Sequence, residues 1–260
     1  MTHSMNSVHP DAIIGKDVVI ESFSTIYGDV RIGDGTWIGP NVTIMDGARI
    51  GKQCRVFPGA VISAIPQDLK FVGEITTAEI GDNTTIRECV TVNRGTKSKG
   101  KTVIGSNCLL MSYVHVAHDC VVGNHCVLGG YVGLAGEVAI EDWVTLGGGS
   151  LVHQFVCVGA HAFIQGGSKV AKDVPPYVLA GRDPLAYAGL NTVGLRRRNF
   201  SQEKIQEMNE IYRTIYQRGM NTSDAVNHIE LHFTASPERD HILTFIRSSE
   251  RGIIRSLLDD

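Results

Sequence analysis

Of the 27 positions taken at every sixth residue from Ile14 to Val170, 24 are Ile, Val or Leu; the exceptions are Asp68, Glu74 and Ser98. No amphipathic helix keeps a strict period of six, because its apolar stripe follows 3.6 residues. A short strand plus a tight turn does, with the aliphatic side chain inside. Ten of the 24 are followed directly by glycine, as in Ile32-Gly33, Ile104-Gly105 and Val158-Gly159, which reads as glycine easing each corner. Three hexads make one triangular coil of 18 residues. Successive coils then pair as parallel strands roughly 4.8 Å apart, so residues i and i+18 stack on one outer face.

The repeat breaks twice. Residues 63–77 bring Pro66 and charge to core phases, and residues 93–102 bring four cations and two glycines. Both read as loops thrown out of the prism, either carrying binding chemistry or simply tolerated. After Val170 the hexads end in a proline-bearing segment, KDVPPYVLAGRDPLAYAGLN, that reads as a linker or cap. From Ser201 the period is helical: Ile205, Met208, Tyr212 and Ile215 share a face, with Ser201 as N-cap. A second set, Ile242, Phe245, Ile246 and Ile253, follows Ser236-Pro237, which suits a helix start. The hexads resemble the left-handed parallel β-helix of bacterial acyl- and acetyltransferases, and the left hand comes from that resemblance, against the usual crossover rule. The expected fold is an all-β solenoid, a left-handed parallel β-helix of hexapeptide repeats over 1–195, followed by a C-terminal α-helical domain over 196–260. The open strand edges call for end-capping and self-association.

A formal net charge of −3 offers no global field for nucleic acid or anionic membrane. The N-terminal MTHSMNSVHP lacks a signal-peptide apolar core, and no run approaches a membrane span, so the cytoplasm is the expected compartment, with no integral membrane segment. Cys54, Cys108, Cys120 and Cys126 fall four residues after a core aliphatic, at the phase that Val42, Ala48 and Ala60 also hold. They read as small core hydrophobes, and no Cys-x-x-Cys pair exists. His125 and His161, with Trp143 between them at the same phase, read as a stacked outer column. His3, His9, His228, His232 and His241 carry no spacing signal.

His115, His118 and His153 are different, because stepping back two coils from His153 reaches position 117. A zinc site needs imidazoles converging within about 2.1 Å of one metal; Asp119 beside His118 offers an acid–base pairing instead, and no metal is expected. Eighteen residues after His118 comes Gly136, and eighteen more gives Gln154. A histidine facing a bare backbone N–H on the next coil is a candidate general base plus oxyanion donor, the pair that acyl transfer to an alcohol requires. Neither residue type is rare, and coincidence stays open on spacing alone.

The ordered motifs QDLK, HVAHDC, VHQF and GLRRR, with VHPDAIIG, IRECVTVNRGT, DVPPYV and RGIIR around them, resemble the UDP-N-acetylglucosamine O-acyltransferase family nearly end to end. The resemblance implies transfer of an (R)-3-hydroxyacyl chain from acyl carrier protein, on its phosphopantetheine arm, to the glucosamine 3-hydroxyl. This is the first step of lipid A biosynthesis, and it uses no cofactor. It also implies a homotrimer with sites between prisms. By the same resemblance His118 is the base, Asp119 its orienting acid, Gly136 the oxyanion donor and His115 a substrate contact. His153 and Gln154 match nucleotide-sugar contacts, and Gln67, Asp68 and Lys70 match residues holding the sugar and the acyl–pantetheine arm. Asn191, Arg197 and Arg198 match contacts to the donor arm and the UDP phosphates, a cationic patch suited to anionic partners; a solvated face is the bland reading of three arginines. Gly166 aligns with the family's chain-length stop, and glycine there implies an open tunnel and a long acyl donor. Glu137 departs from the histidine of many relatives, which puts sugar contacts in doubt. The rival readings are the N-acyltransferase of the same pathway, a coenzyme A–dependent sugar acetyltransferase, and a non-enzymatic binding solenoid. Acyl length and a 3-amino acceptor stay open.

Overall fold

The computed structural model describes residues 5–256; His3 lies outside them. Strands of mostly two residues stack into three sheets of nine, eight and eleven strands, which form the three faces of a left-handed parallel β-helix. Face one runs from Ser7–Val8 to Lys169–Val170, and face two from Ile13–Ile14 to Cys157–Val158. Face three starts at Val19–Ile20 and continues past Phe163–Ile164. Register advances by 18 wherever the hexads are uninterrupted, as in His115 opposite Gly133 and Gly133 opposite Leu151. The hexad aliphatics fill the prism: Ile20, Ile38, Ile86, Leu110, Val116 and Leu134 are all fully buried.

The corners are built differently from the sequence expectation. The ten glycines that follow core aliphatics do not adopt left-handed backbone; the residue two further along does. From Asn107 to Gly167 all eleven such positions have positive φ, and only Gly149 and Gly167 among them are glycine. The post-aliphatic glycines answer instead to close stacking. A β-carbon on Gly105 would lie 2.6 Å from the Gly123 carbonyl carbon, and one on Gly129 would lie 2.5 Å from the Gly148 nitrogen.

The inward corner position has its own rule. Ser24, Thr36 and Thr84 donate from Oγ to the carbonyls of Gly39, Gly51 and Gly105 at 2.7, 2.9 and 2.8 Å. Cys54, Cys108, Cys120 and Cys126 use Sγ in the same way, toward Gly81, Gly123, Ala135 and Glu141 at 3.1–3.2 Å. These cysteines are buried as expected, and they are also weak donors to carbonyls that would otherwise be sealed from water.

Both interruptions leave the prism at one corner, between faces one and two. The first separates Val61–Ala64 from Thr77–Ile80, and the second separates Thr91–Asn93 from Lys101–Ile104. The next coil turns the same corner through Ala117, His118 and Asp119. Beyond the hexads, strands Val178–Gly181 and Ala186–Leu190 extend face three as an antiparallel pair. Helices α1 (Thr192–Arg197), α2 (Gln202–Gln217), α3 (Thr222–His232) and α4 (Pro237–Ser248) follow. Ser201 caps α2, and Ser236 with Pro237 opens α4, both as expected. The sequence reading missed α1 and α3. The helices are bound to the solenoid by fully buried Tyr212, whose hydroxyl donates to the Pro176 carbonyl at 2.6 Å, and by strand Arg255–Ser256 on face three.

The substitution Gly105→Ala is expected to cost about 1–3 kcal/mol, the usual range for overpacking. Gly130→Ala, whose added methyl meets nothing nearer than the Ser112 carbonyl at 3.4 Å, should stay within about 0.5 kcal/mol. Urea unfolding of the two variants checks this.

Candidate active site

Adjacent side chains in a strand point to opposite faces, so His118 and Asp119 could meet only at a turn. Asp119 has a φ of 60°, and its Oδ2 lies 2.9 Å from Nδ1 of His118. The carboxylate is fully buried and heavily engaged. Thr96 donates its Oγ to Oδ2 at 2.6 Å and its N–H to Oδ1 at 3.0 Å, and the Lys99 N–H reaches Oδ1 at 3.2 Å. The Asp119 N–H in turn donates to Thr102 Oγ at 2.8 Å. Burial alone would raise the Asp119 pKa, but the hydrogen bonds from Thr96, His118 and Lys99 outweigh it and hold the carboxyl below its ordinary value. An ionised carboxylate only accepts, so Nδ1 of His118 donates to it, and in the neutral imidazole Nε2 then presents a lone pair. Among the described residues Nε2 has no partner.

The second interruption is therefore part of this centre, and Thr96 is the residue that sequence reasoning missed. Its contact spans 23 positions across a loop that breaks the hexad register, so no 18-residue step leads to it.

One coil on, Gly136 lies against the imidazole: a β-carbon there would be 2.6 Å from Cε1 and 2.7 Å from Nε2 of His118. The N–H groups flanking it are spent, Ala135 on the Val152 carbonyl and Glu137 on the His118 carbonyl. At the corner between faces two and three, the N–H of this phase is taken by an Asx side chain of the next coil, as Ser106 donates to Asn124 Oδ1 and Asn124 to Asp142 Oδ1. The residue above Gly136 is Gln154, and the Gly136 N–H makes no hydrogen bond among the described residues. A lone pair and an unspent N–H thus stand together on adjacent coils.

A cleft of about 460 Å³ opens here, bringing together Asp68, Lys70, His118, Glu137 and Gln154 with Thr96 at its rim. Glu137 sits 3.9 Å from the Lys99 ammonium. Gln67 is exposed on the same loop as Asp68 but does not line the cleft. His115 and His153 do not line it either. His115 meets Thr91 Oγ through Nδ1 at 2.7 Å, with burial lowering its pKa, and exposed His153 turns Nδ1 to the Gln154 carbonyl at 3.1 Å.

Asn191, Arg197 and Arg198 line a different cleft, of about 590 Å³, on face three beside Trp143. Asn191 caps α1, with Oδ1 on the Gly194 N–H at 3.1 Å and Nδ2 on the His161 carbonyl at 2.9 Å. Arg196 and Arg197 close the last turn of α1, where cations favour the helix dipole. The expected aromatic column is present, with His125 and Trp143 stacked at 4.0 Å and Trp143 and His161 nearly parallel at 6.2 Å. Gly166 belongs to neither cleft; it lies in a glycine column with Gly130 and Gly148, and a β-carbon on it would come 2.9 Å from the Gly148 carbonyl oxygen. Among the described residues no group of three or more His, Cys, Asp or Glu is placed to hold a metal ion, and no helix is long and apolar enough to cross a membrane.

Stacked hexads, a helical C-terminal portion and an acid–base corner define a hexapeptide-repeat transferase. Residues 29–64 and 101–136 match the family described as "Bacterial transferase hexapeptide (six repeats)", and residues 173–254 match "Udp N-acetylglucosamine O-acyltransferase; Domain 2". A Chlorobaculum parvum protein named acyl-[acyl-carrier-protein]–UDP-N-acetylglucosamine O-acyltransferase is 49% identical over 95% of this chain and 97% of its own length. The protein of that name from Myxococcus xanthus is 42% identical over 97% of this chain and 98% of its own. The crystal structure of LpxA, a UDP-N-acetylglucosamine acyltransferase from Bacteroides fragilis, superposes with a TM-score of 0.97 at 53% identity, covering 98% of this chain and 100% of that one. The chain belongs to the acyl-[acyl-carrier-protein]–UDP-N-acetylglucosamine O-acyltransferase family.

Because the Asp119 carboxyl is held below its ordinary value, its ionised form contributes stability above the unfolded-state pKa, and that contribution is lost as pH falls through the folded one. Asp119→Asn should therefore be destabilising near pH 6, with the gap to wild type closing toward about pH 3. Urea unfolding at both pH values reads this.

Proposed function

We propose that this chain transfers an (R)-3-hydroxyacyl group from acyl carrier protein to the 3-hydroxyl of UDP-N-acetylglucosamine, the first step of lipid A biosynthesis, in the cytoplasm and without a cofactor. The observation that carries the mechanism is the pairing of the free Nε2 of His118 with the unspent N–H of Gly136 on the adjacent coil. Nε2 takes the hydroxyl proton as the sugar oxygen attacks the thioester carbon. Asp119 stays ionised and stabilises the imidazolium that forms. The carbonyl oxygen, now negative, accepts the Gly136 N–H. Collapse of the tetrahedral intermediate breaks the C–S bond, and the imidazolium returns its proton to the departing pantetheine thiolate. The products are the 3-O-acyl sugar nucleotide and carrier protein with a free thiol.

Asp68, Lys70 and Gln154, which line the cleft with His118, are assigned to the sugar and the donor arm, and Gln67, His115 and His153 are assigned contacts further out. Asn191, Arg197 and Arg198 take the donor arm and the UDP phosphates. Because these three stand on face three, away from the His118 corner, each complete site is assigned to two copies of a homotrimer. The fully exposed Leu69, Val72 and Ile75 of the first loop support such an assembly, since apolar side chains at a loop tip favour a covering partner. Gly166, with no side chain in the glycine column, is assigned to a long acyl donor.

Purified protein should acylate UDP-N-acetylglucosamine from 3-hydroxyacyl carrier protein and not from acetyl-CoA, with longer donors preferred to a ten-carbon chain. His118→Ala should lower the rate by about 10²–10⁴. Transfer from acetyl-CoA alone, or an active His118→Ala, would overturn the reading. Mixed trimers of His118→Ala and Arg198→Ala subunits should recover activity that neither variant has alone, because some sites then draw a wild-type residue from each copy; no recovery would place both residues in one copy's site.

A further inference from the structure

Two of the residues assigned above to the donor arm and the UDP phosphates, Asn191 and Arg198, are both held by a third that the function does not use. His161 sits at a corner of face three with a φ of 60°. Its ring lies between Trp143 and Tyr177, nearly parallel to both, with centroids at 6.2 and 5.5 Å, and the Phe200 ring packs edge-on at 5.1 Å. Tyr177 is itself fixed from behind, its hydroxyl 3.0 Å from His241 Nδ1, while His241 Nε2 is 2.9 Å from Glu141. The His161 ring is thus clamped from the helical portion.

Its polar atoms face the cleft residues. The backbone carbonyl of His161 accepts from Asn191 Nδ2 at 2.9 Å. Ring atom Nδ1 lies 3.4 Å from Nη1 of Arg198, while Nη2 of the same guanidinium donates to the Trp143 carbonyl at 3.0 Å and its carbon stands 5.2 Å over the Trp143 ring. A guanidinium never accepts a hydrogen bond, so Nδ1 must present its lone pair and the imidazole must be neutral with its proton on Nε2. Arg198 has five N–H donors; two are spent on this frame, and the other three make no hydrogen bond among the described residues, while the side chain lines the cleft.

We infer that His161 is a positioning residue for the nucleotide: its neutral ring fixes Arg198 by accepting from Nη1, so that the remaining guanidinium donors meet a diphosphate already oriented. The inference rests on the assignment of Arg198 to the UDP phosphates. Burial first, then the neighbouring Arg198 and His241, push the His161 pKa down to about 4, so the ring keeps its acceptor across the neutral range. A flexible arginine surrenders side-chain entropy when it binds; one already held does not, and the gain appears in affinity.

The test uses the full-length protein, with UDP as the calorimetric probe and a kinetic series in UDP-N-acetylglucosamine. His161→Phe keeps an aromatic ring in the stack and removes the acceptor. It should weaken UDP binding by about tenfold and raise KM for the nucleotide sugar by about the same factor, the scale of one hydrogen bond to a charged group, with kcat within about threefold. His161→Asn, whose Oδ1 falls where Nδ1 stood and which suits left-handed backbone, should recover most of the loss. His161→Leu matches asparagine in size but offers no acceptor, and it gives the same reading should the phenylalanine variant fold poorly. Wild-type UDP affinity and KM in folded His161→Phe or His161→Leu would overturn the inference, as would a loss confined to kcat. If Arg198→Ala also binds UDP as tightly as wild type, the assignment of the cleft fails with it. If Arg198→Ala loses affinity while the His161 variants do not, only the positioning role falls.

Discussion

The structure depends on one repeated contact, the stacking of each coil's backbone onto the next. Parallel strands sit about 4.8 Å apart, and at the corners there is little more room than that. Each residue type at a corner answers to this spacing. Glycine follows the core aliphatic because a β-carbon would enter the backbone of the next coil, as Gly33 would within 2.6 Å of Gly51. The left-handed residue two positions later points its side chain outward, which is how Tyr113, His125, Trp143 and Phe155 occupy a conformation usually left to glycine or asparagine. The inward corner position takes Ser, Thr or Cys where the carbonyl stacked upon it needs a donor.

The same stacking converts sequence distance into geometry. Eighteen residues bring His118 under Gly136 and Gly136 under Gln154, so the proposed base and oxyanion donor come from residues that no turn or helix joins. Both insertions leave at the corner where His118 stands, and the second returns Thr96 and Lys99 over Asp119. An excursion at that point seals the carboxylate from solvent without disturbing the coil beneath, because the hexad register resumes at Ile104. Burial and ordered donors together keep Asp119 ionised where burial alone would favour its neutral form.

Most of the fold was legible because the hexad rule is local and strict. The period exposed the solenoid, the misses exposed the loops, and the phase placed the cysteines inside and the aromatic column outside. What stayed hidden was whatever crosses from one periodic system to another. Thr96 reaches Asp119 from an aperiodic loop. Arg198 reaches His161 and the Trp143 carbonyl across the break between hexads and helices, and Glu141 reaches His241 over 100 positions. Helix α1 buries only Leu195 and α3 only Ala225, Val226 and Ile229, too few apolar residues for a helical period to show. The corner glycines were legible in place but not in cause, since spacing reports where glycine recurs and only the neighbouring coil reports why.

Gly136 shows how tightly fold and chemistry are joined at this corner. Its missing β-carbon makes space for the imidazole of His118, and its N–H makes no hydrogen bond among the described residues. Adding one methyl would displace the imidazole proposed as base and crowd the N–H proposed as oxyanion donor together, so the loss expected in a Gly136→Ala variant cannot be divided between the two. In the proposed mechanism, base, orienting carboxylate and donor are all held by backbone stacked on backbone. Such preorganisation is what electrostatic stabilisation of a developing negative charge requires, and a β-helix supplies it by the regularity that makes it fold.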